Sequence, residues 1–193
     1  FVVRFAGGVF FLSGMLLIAR WHAPSGEEGE LRKTLSSISE SFFRTSEAQN
    51  TNGQQARRRY NTGGIVREAI DGYPTLFEEA LPAFRMARLQ GRCEVTASFA
   101  MMARMMQTVD DTTTLHRGGL AGLEEIRRDG QALERIVSGG GDHLAFLEEL
   151  NRTYVDRNLT MGGVADMLGI AFGYLIANGE IGTGDEESIR IGL

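Results

Sequence analysis

Residues 110–119 read Asp110-Asp111-Thr112-Thr113-Thr114-Leu115-His116-Arg117-Gly118-Gly119 and form a polar stretch between apolar parts of the chain. The stretch combines two adjacent carboxylates, a run of hydroxyls, one of the three histidines, an arginine and a glycine pair. The segments on both sides repeat apolar residues every three or four positions, which is the spacing of amphipathic helices. The sequence therefore predicts a polar junction between helices at this point.

Helical spacing recurs along most of the chain, and no segment shows the period-two alternation with β-branched residues that is typical of strands. The apolar repeats fall in the segments Leu31–Phe42, Phe77–Phe84, Met101–Met106, Leu120–Val137, Leu144–Asp156 and Val164–Leu175. We expect a single-domain, all-α helical bundle over residues 1–193, with the functional site at helix junctions. Pro82 should kink or shorten its helix, and the methionines of the third segment should pack in the core.

Two further segments have a distinct composition. Phe5–Ala19 is the most hydrophobic run, and at 15 residues it is short for a membrane span, which needs about 20. We interpret it as a buried helix and not as a signal peptide, because it lacks a basic leader and a cleavage site. Ser46–Gly64 is polar and is predicted to be a long connection, from which Arg57, Arg58 and Arg59 could reach substrate phosphates.

Length and charge limit the function. The chain has 193 residues and a formal net charge of −5, which argues against general nucleic-acid binding because phosphate contacts supply most of that affinity. Cys93 is the only cysteine, so an internal disulfide or a thiolate metal cluster is excluded. We expect a cytoplasmic protein without a membrane partner. A homo-oligomer is left open by the sequence.

The polar stretch has the chemistry of a nucleotide or polyphosphate site. Asp110 and Asp111 are suited to Mg²⁺, which is held by carboxylates together with substrate phosphates. His116 can act as an acid or base near neutral pH, and Arg117 can make forked hydrogen bonds to phosphate. Gly118-Gly119 lets the backbone approach a ligand, and a helix starting at Leu120 would direct free N–H groups at an anion.

Ordinary structural chemistry is the alternative for the same residues. Asp-Asp-Thr is a common way to end one helix and cap the next, and Gly-Gly is frequent in loops. A second polar turn, Arg157-Asn158-Leu159-Thr160-Met161-Gly162-Gly163, precedes the apolar helix near Val164–Leu175. Asp166 lies in the first turn of that helix, where its charge suits the positive helix end, and it could face the site.

With both turns identified, the sequence resembles the triphosphoribosyl-dephospho-CoA synthases that serve citrate lyase and malonate decarboxylase. The stretch 110–119 is similar to that family's Glu/Asp-Asp-Thr-Asn-x-Leu-His-Arg-Gly-Gly motif. The second turn and the residues to Leu168 resemble its Arg-Asn-Leu-Ser-Pro-Gly-Gly-Ser-Ala-Asp-Leu-Leu. Glu68-Ala69 with Gly72-Tyr73-Pro74 is similar to its Arg-Gly-Glu-Ala-x-x-Gly-Phe-Pro.

The resemblance implies an all-α transferase that joins the triphosphoribosyl group of ATP to 3′-dephospho-CoA and releases adenine. The partners implied are ATP and dephospho-CoA, with Mg²⁺ as the cofactor. Asp110 and Asp111 would hold the metal, and one of them would face the sugar, while His116 or Glu68 would assist proton transfer. The remaining expected substrate-binding residues are Thr112, Arg67, Arg117, Gly118, Gly119, Arg157, Asn158, Gly162, Gly163 and Asp166.

The chain departs from the family pattern at several points. Val2-Val3-Arg4-Phe5-Ala6-Gly7-Gly8 stands where the family has Gly-Val-Asn-Thr-His-Lys-Gly, and we expect the chain to lack an N-terminal portion of the family. Met161 replaces a proline and Thr113 an asparagine, and Arg67 lies one position later than the family's arginine. Two alternatives to the active transferase follow: a divergent relative that binds another nucleotide or pyrophosphate ligand, and a non-catalytic helical interaction module.

Overall fold

A computed structural model describes residues 27–45 and 51–182. Helices account for 81% of these residues and none of them is in a strand, which confirms the all-α prediction. In chain order the α-helices are α1 (Glu28–Thr45), α2 (Asn52–Tyr60), α3 (Gly64–Ile70), α4 (Leu81–Leu89), α5 (Glu94–Thr108), α6 (Thr112–Gly139), α7 (His143–Asp156) and α8 (Gly162–Ala177). A π-helical segment, Thr75–Ala80, leads directly into α4.

Helix α5 lies at the centre of the fold and packs against α6, α4, the π-helical segment and α8. Met101, Met105 and Met106 are fully buried in its core-facing side, and Met102 packs partly buried against the same cluster. The prediction that these methionines fill the core is confirmed. Because α5 ends at Thr108 and α6 begins at Thr112, residues 109–111 form the connection between these two central helices and lie at one end of the bundle.

The π-helical segment explains how the chain accommodates Pro82. Proline has no N–H to donate and its ring crowds the carbonyl one turn earlier. The preceding turn is widened to π geometry over Thr75–Ala80, and Pro82 then occupies the first turn of α4. Phe77, Leu81 and Phe84 are all buried, so the predicted apolar face is confirmed and the helix is remodelled at the proline, not ended by it.

The predicted long connection at Ser46–Gly64 is wrong for most of its described part. Residues Asn52–Tyr60 form helix α2, which starts with a capping box between Thr51 and Gln54. Its interior is strongly polar and Ala56 is its buried residue, so a search for apolar spacing does not find it. The helix is stabilised by its cap and by packing on α6.

A helical segment starts at Leu120, as expected, but the residues before it are helical too. Helix α6 begins eight residues earlier, at Thr112, because the Asp111 side chain caps its first turn. Gly119 then interrupts the helix with φ 63° and ψ −161°, a conformation that a residue with a Cβ rarely adopts. His116 and Arg117 therefore project from a helical turn and not from a loop.

The predicted buried helix at Phe5–Ala19 lies outside the described residues. At the other end of the described chain, the Arg85 guanidinium forms an ion pair with Glu180 at 2.7 Å, and Ile181 packs against the core. In the described part of the chain, none of the helices combines the length and the hydropathy required to span a bilayer.

Candidate active site at the helix junctions

Asp111 joins the two polar turns that the sequence singles out. Its carboxylate is buried, with 1% of the residue exposed. The Oδ1 atom accepts hydrogen bonds from Thr113 N at 2.9 Å, from Thr114 N at 3.1 Å and from the Thr113 hydroxyl. The Oδ2 atom accepts from Val164 N, at the start of α8, at 3.1 Å. One side chain thus caps the N-termini of both α6 and α8, where the helix dipole favours a negative charge.

Two threonines add further bonds between the same turns. The Thr114 hydroxyl donates to the Thr160 carbonyl at 2.6 Å, and Gly162 N donates to the Thr113 hydroxyl at 2.9 Å. A Cβ at Gly162 would lie 2.7 Å from Thr113 Oγ1, and a Cβ at Gly163 would lie 3.0 Å from Asp111 Oδ2. Glycine is required here because the backbone of α8 approaches the capping side chains so closely.

Asp110 points to a different set of partners. Its Oδ2 atom accepts from the Thr62 hydroxyl at 2.7 Å, and its Oδ1 atom forms an ion pair with Arg127 Nη2 at 2.6 Å. The Asp110 side chain is 46% exposed, so it is open to a ligand in a way that Asp111 is not. The two adjacent aspartates, predicted as a joint metal site, therefore have separate surroundings.

An acidic cavity of about 90 Å³ lies beside Asp110. Its lining residues are Gly63, Gly64, Arg67, Glu68, Asp71, Thr108 and Asp110. Arg67 Nε donates to Asp71 Oδ2 at 2.6 Å on the outer side. Gly64 has φ 56°, and a Cβ there would lie 2.5 Å from the Thr112 methyl group. The predicted residues Arg67, Glu68 and Asp110 are thus brought together, and Thr112 packs against their cavity.

Glu68 is held at the end of α3 and is half-buried. Its carboxylate accepts from Thr75 N at 3.1 Å and from the Thr75 hydroxyl at 2.7 Å. Burial raises the pKa of Glu68, the Thr75 hydrogen bonds oppose that shift, and the charges of Asp71 and Asp110 add to it. A carboxylate whose pKa is raised toward neutrality is suited to accept a proton at physiological pH.

Asp166 belongs to the Asp111 side of the junction. Burial raises its pKa to about 6, and the nearby Asp111 charge contributes to the shift. Burial raises the pKa of the Tyr73 hydroxyl well above its usual range, and the charges of Glu68 and Asp166 add to that shift. That Asp166 faces the site stays a prediction.

The predicted phosphate-binding arginines of the two turns do not line the acidic cavity. Arg117 is exposed and its Nη1 donates to the Asn158 side-chain oxygen at 2.7 Å. Arg157 forms an ion pair with Glu125. Residues 125 and 127 are separated by about 200° around a helix, so Arg157 contacts the side of α6 opposite to Arg127 and Asp110. His116 is exposed on the first turn of α6. Substrate binding by Arg117, Arg157 and Asn158, and proton transfer by His116, stay predictions.

The glycine pair of the first turn has a packing function. A Cβ at Gly118 would lie 2.6 Å from Leu159 Cδ1, and one at Gly119 would lie 3.4 Å from the Tyr60 hydroxyl. Leu159 is itself buried. The close approach thus serves to seat the second turn on α6, and ligand contact by these glycines stays a prediction.

Arg127 and Thr62 were not identified from the sequence, although both hold Asp110. Arg127 lies 17 residues after its partner and Thr62 lies 48 residues before it, so no helical spacing relates them. The Arg127 Nε atom is buried and has no hydrogen-bond partner among the described residues. Arg127 follows an acidic pair on α6 and could not have been distinguished from a surface arginine.

No three His, Cys, Asp or Glu side chains of residues 27–45 and 51–182 are gathered in the manner of a protein-only metal site. Mg²⁺ is commonly held by one or two carboxylates with phosphate oxygens and water as the other ligands. The carboxylates that line the acidic cavity are hard oxygen donors of the required type. The residues present therefore fit a substrate-bound Mg²⁺ better than a resident metal ion.

Comparison with known proteins identifies the family. A family described as ATP:dephospho-CoA triphosphoribosyl transferase matches residues 10–183. A probable 2-(5''-triphosphoribosyl)-3'-dephosphocoenzyme-A synthase of Pseudomonas putida is 35% identical over 62% of this chain and 43% of its own length. One of Pseudomonas paraeruginosa with the same description is 31% identical over 83% of this chain and 56% of its own length.

A relative of the same description in Streptococcus equi is 31% identical over 61% of this chain and 40% of its own length. The chain thus spans about half the length of the curated relatives that it matches. No solved structure matches it. Since the family match extends over nearly the whole sequence and includes both polar turns and the Glu68 segment, the chain belongs to the ATP:dephospho-CoA triphosphoribosyl transferase family.

Proposed function

We propose that this chain provides the site at which the triphosphoribosyl group of ATP is transferred to 3′-dephospho-CoA, with release of adenine. Membership of the family supports this activity. The observation that carries the proposal is the placement of Glu68 and Asp110 in one acidic cavity. A reaction at an anomeric carbon needs a base for the incoming hydroxyl and negative charge beside the sugar, and this cavity offers both.

The proposed reaction exchanges two bonds at C1′ of the ATP ribose. The bond from C1′ to the adenine nitrogen breaks, and a bond forms from C1′ to a hydroxyl oxygen of dephospho-CoA. The hydroxyl proton passes to Glu68, whose raised pKa suits that role. Adenine leaves with the bonding electron pair and takes up a proton, so the triphosphate remains on the product. Positive charge that develops on the sugar is stabilised by the Asp110 carboxylate.

Glu68 is the better-placed base of the two that the sequence suggested. It is half-buried and lines the acidic cavity with Asp110, whereas His116 is exposed on the first turn of α6. Burial concentrates the electrostatic effect of a charged group because less water screens it. We therefore assign proton transfer to Glu68 and propose that the exposed His116 contacts substrate from the surface of α6.

Mg²⁺ bound to the triphosphate would be held by Asp110, whose carboxylate is 46% exposed. Bound there, the ion would neutralise phosphate charge and orient the triphosphate. Asp111 already accepts three hydrogen bonds at Oδ1 and one at Oδ2, so its part is to fix the junction and not to bind metal. Asp166 would stand beside the sugar or the metal from the α8 side.

Arg67 and Arg117 are exposed side chains that would grip phosphates of the two substrates. Arg157 and Asn158 would contribute from the second turn, on the far side of α6. The backbone at Gly162 and Gly163 lies at the α8 N-terminus, where N–H groups favour an anion. We place the activity in the cytoplasm, where ATP and dephospho-CoA are available.

The direct experiment is to incubate the protein with ATP, Mg²⁺ and dephospho-CoA and to measure free adenine. Adenine release that requires dephospho-CoA is the expected result. Thermal stabilisation by ATP and Mg²⁺ without adenine release would contradict the transferase and favour a nucleotide-binding relative. No adenine release and no stabilisation by either substrate would favour an interaction module.

A matched pair of variants tests the assignment of the base. Glu68→Gln should lower adenine release by about a hundredfold or more, since that is the usual contribution of a general base. His116→Ala should lower it by a smaller factor. The opposite order of the two effects would move proton transfer to His116.

A further inference from the structure

Tyr73 is a buried residue whose hydroxyl lacks a partner. The residue is 0% exposed and belongs to the main hydrophobic core. Its hydroxyl has no hydrogen-bond partner among the described residues. Leaving a buried hydroxyl unpaired costs free energy that a phenylalanine would not lose.

The backbone at Tyr73 is strained in a way that fixes the side chain. Its φ of 57° is unusual for a residue with a Cβ. Three hydrogen bonds hold the segment: Tyr73 N donates to the Glu68 carbonyl at 2.7 Å, Phe77 N donates to the Tyr73 carbonyl at 3.1 Å, and Arg32 Nε donates to the Gly72 carbonyl at 3.2 Å. Strain of this kind persists only where the surroundings determine it, and it is concentrated at functional sites.

The charges of two carboxylates of the candidate site act on this hydroxyl. Glu68 is five residues earlier, and its side chain bonds to Thr75, two residues after Tyr73. Asp166 approaches from α8. Both carboxylates act on the Tyr73 hydroxyl, Glu68 more strongly. Asp71 and Asp110 also act on Glu68 and cannot donate a hydrogen bond when ionised. Arg67, at the same cavity, donates to Asp71, whereas the Tyr73 hydroxyl is a buried donor without a partner among the described residues.

We propose that Tyr73 is a positioning residue whose hydroxyl donates a hydrogen bond, through one bridging water, to the carboxylate of Glu68. Thr75 holds Glu68 from one side, and Tyr73 holds it from the core side. The carboxylate is then fixed toward the acidic cavity and Asp110. The positioning role rests on the proposed function of Glu68, whereas the contact between Tyr73 and Glu68 does not.

A double-mutant cycle on the full chain tests the contact without any substrate. Unfolding in urea is measured for the unchanged protein, Tyr73→Phe, Glu68→Met and the double variant. Glu68→Met keeps the volume of the side chain and removes its acceptors. Tyr73→Phe should lower the folding equilibrium constant about fivefold when Glu68 is present and should have little effect when Glu68 is replaced.

The part-buried pair of Tyr154 and Asp129 provides a positive control. The Tyr154 hydroxyl donates to Asp129 Oδ2 at 2.6 Å, so Tyr154→Phe with Asp129→Ala should show coupling of the same sign. A Tyr73→Phe protein that is as stable as the unchanged chain, or more stable, would overturn the proposal even if Glu68→Met fails to fold. Coupling of Tyr73 to Asp166→Asn instead of Glu68→Met would overturn the assignment to Glu68.

Kinetics then separate positioning from packing. At a temperature well below the unfolding transition, Tyr73→Phe should lower the turnover number for adenine release about fivefold while KM for ATP is unchanged. An unchanged turnover number would reduce Tyr73 to a structural residue. If the unchanged protein releases no adenine, the proposed function fails, and the cycle in urea still decides whether Tyr73 contacts Glu68.

Discussion

Asp111 and Val164 are 53 residues apart in the sequence, and the Asp111 Oδ2 atom accepts a hydrogen bond from Val164 N at 3.1 Å. Because the same carboxylate caps the first turn of α6, a single buried side chain fixes the angle between α6 and α8. The two family motifs meet through this contact. The acidic cavity and the α8 N-terminus therefore owe their relative placement to a residue that is buried from solvent.

Asp111→Asn should destabilise the protein by about 2–4 kcal/mol, because an amide cannot accept at both of its polar atoms and a cap with charge-assisted hydrogen bonds is lost. Asp110→Asn is the matched control, since its ion pair with Arg127 is half-exposed and should contribute about 1 kcal/mol or less. Urea midpoints at an unchanged m-value measure both effects. Equal midpoints for the two variants would contradict the capping role of Asp111.

Gly163→Ala should destabilise the protein by about 1–2 kcal/mol, since overpacking against a fixed group forces the surroundings to shift. The new Cβ would lie 3.0 Å from Asp111 Oδ2 and 3.2 Å from Asp111 Cγ. Gly173→Ala is the control in the same helix, because nothing lies within 4 Å of a Cβ there. That change should stabilise the protein by about 0.5–1 kcal/mol through helix propensity. Thermal unfolding of the two variants should shift in opposite directions.

The helices were predictable from the sequence to the extent that they bury an apolar face. Apolar residues recur at regular helical spacing in Phe77–Phe84, in Met101–Met106 and in α8, because one face of each of these segments packs in the core. Helix α2 buries one alanine, so its sequence holds no such pattern. Its capping box between Thr51 and Gln54 indicates a helix start, but it is not visible in the spacing of apolar residues.

The site was predictable only in part, for a related reason. Residues 110–119 were recognised by their chemistry and by a motif. However, chemistry does not show which of two adjacent aspartates is buried, because that depends on where α8 packs. The partners of Asp110, Thr62 and Arg127, lie on distant parts of the chain and come together only through tertiary packing. Arg157 was predicted to share a substrate site with Asp110, but it contacts the opposite side of α6.

Asp166 should make the protein less stable as the pH rises from about 4 to about 7. Its pKa is raised from 3.8 to about 6 in the folded state, so the folded protein binds more protons than the unfolded chain between these values. Stability conferred by the protonated form is present at low pH and is lost as the pH rises through about 6. With allowance for solvent screening, the loss should be about 1–2 kcal/mol.

Asp166→Asn should therefore be more stable than the unchanged protein at pH 7.5 and equal to it near pH 4. Urea unfolding across this range measures the difference. Glu124, an exposed residue of α6, provides the control. Glu124→Gln should change stability by less than about 0.5 kcal/mol at every pH. A pH-independent effect of Asp166→Asn would show that its charge is not held at the junction.

Arg127→Gln should lower adenine release by about tenfold or more while the protein remains folded. Arg127 holds Asp110 by an ion pair at 2.6 Å beside the acidic cavity. Without it, Asp110 loses one of its two partners and the net negative charge at the cavity increases, so a triphosphate is bound less well. The folding cost should be about 1 kcal/mol or less, because the pair is half-exposed.

Arg152→Gln is the matched control. Arg152 forms an ion pair with Glu149 at 2.6 Å on the exposed surface of α7 and does not line the acidic cavity, so its replacement should leave adenine release unchanged. Rates at saturating ATP and dephospho-CoA should fall for Arg127→Gln alone. If both variants kept the full rate, Asp110 would not need its arginine, and the acidic cavity would have to bind the triphosphate by groups other than those assigned to it.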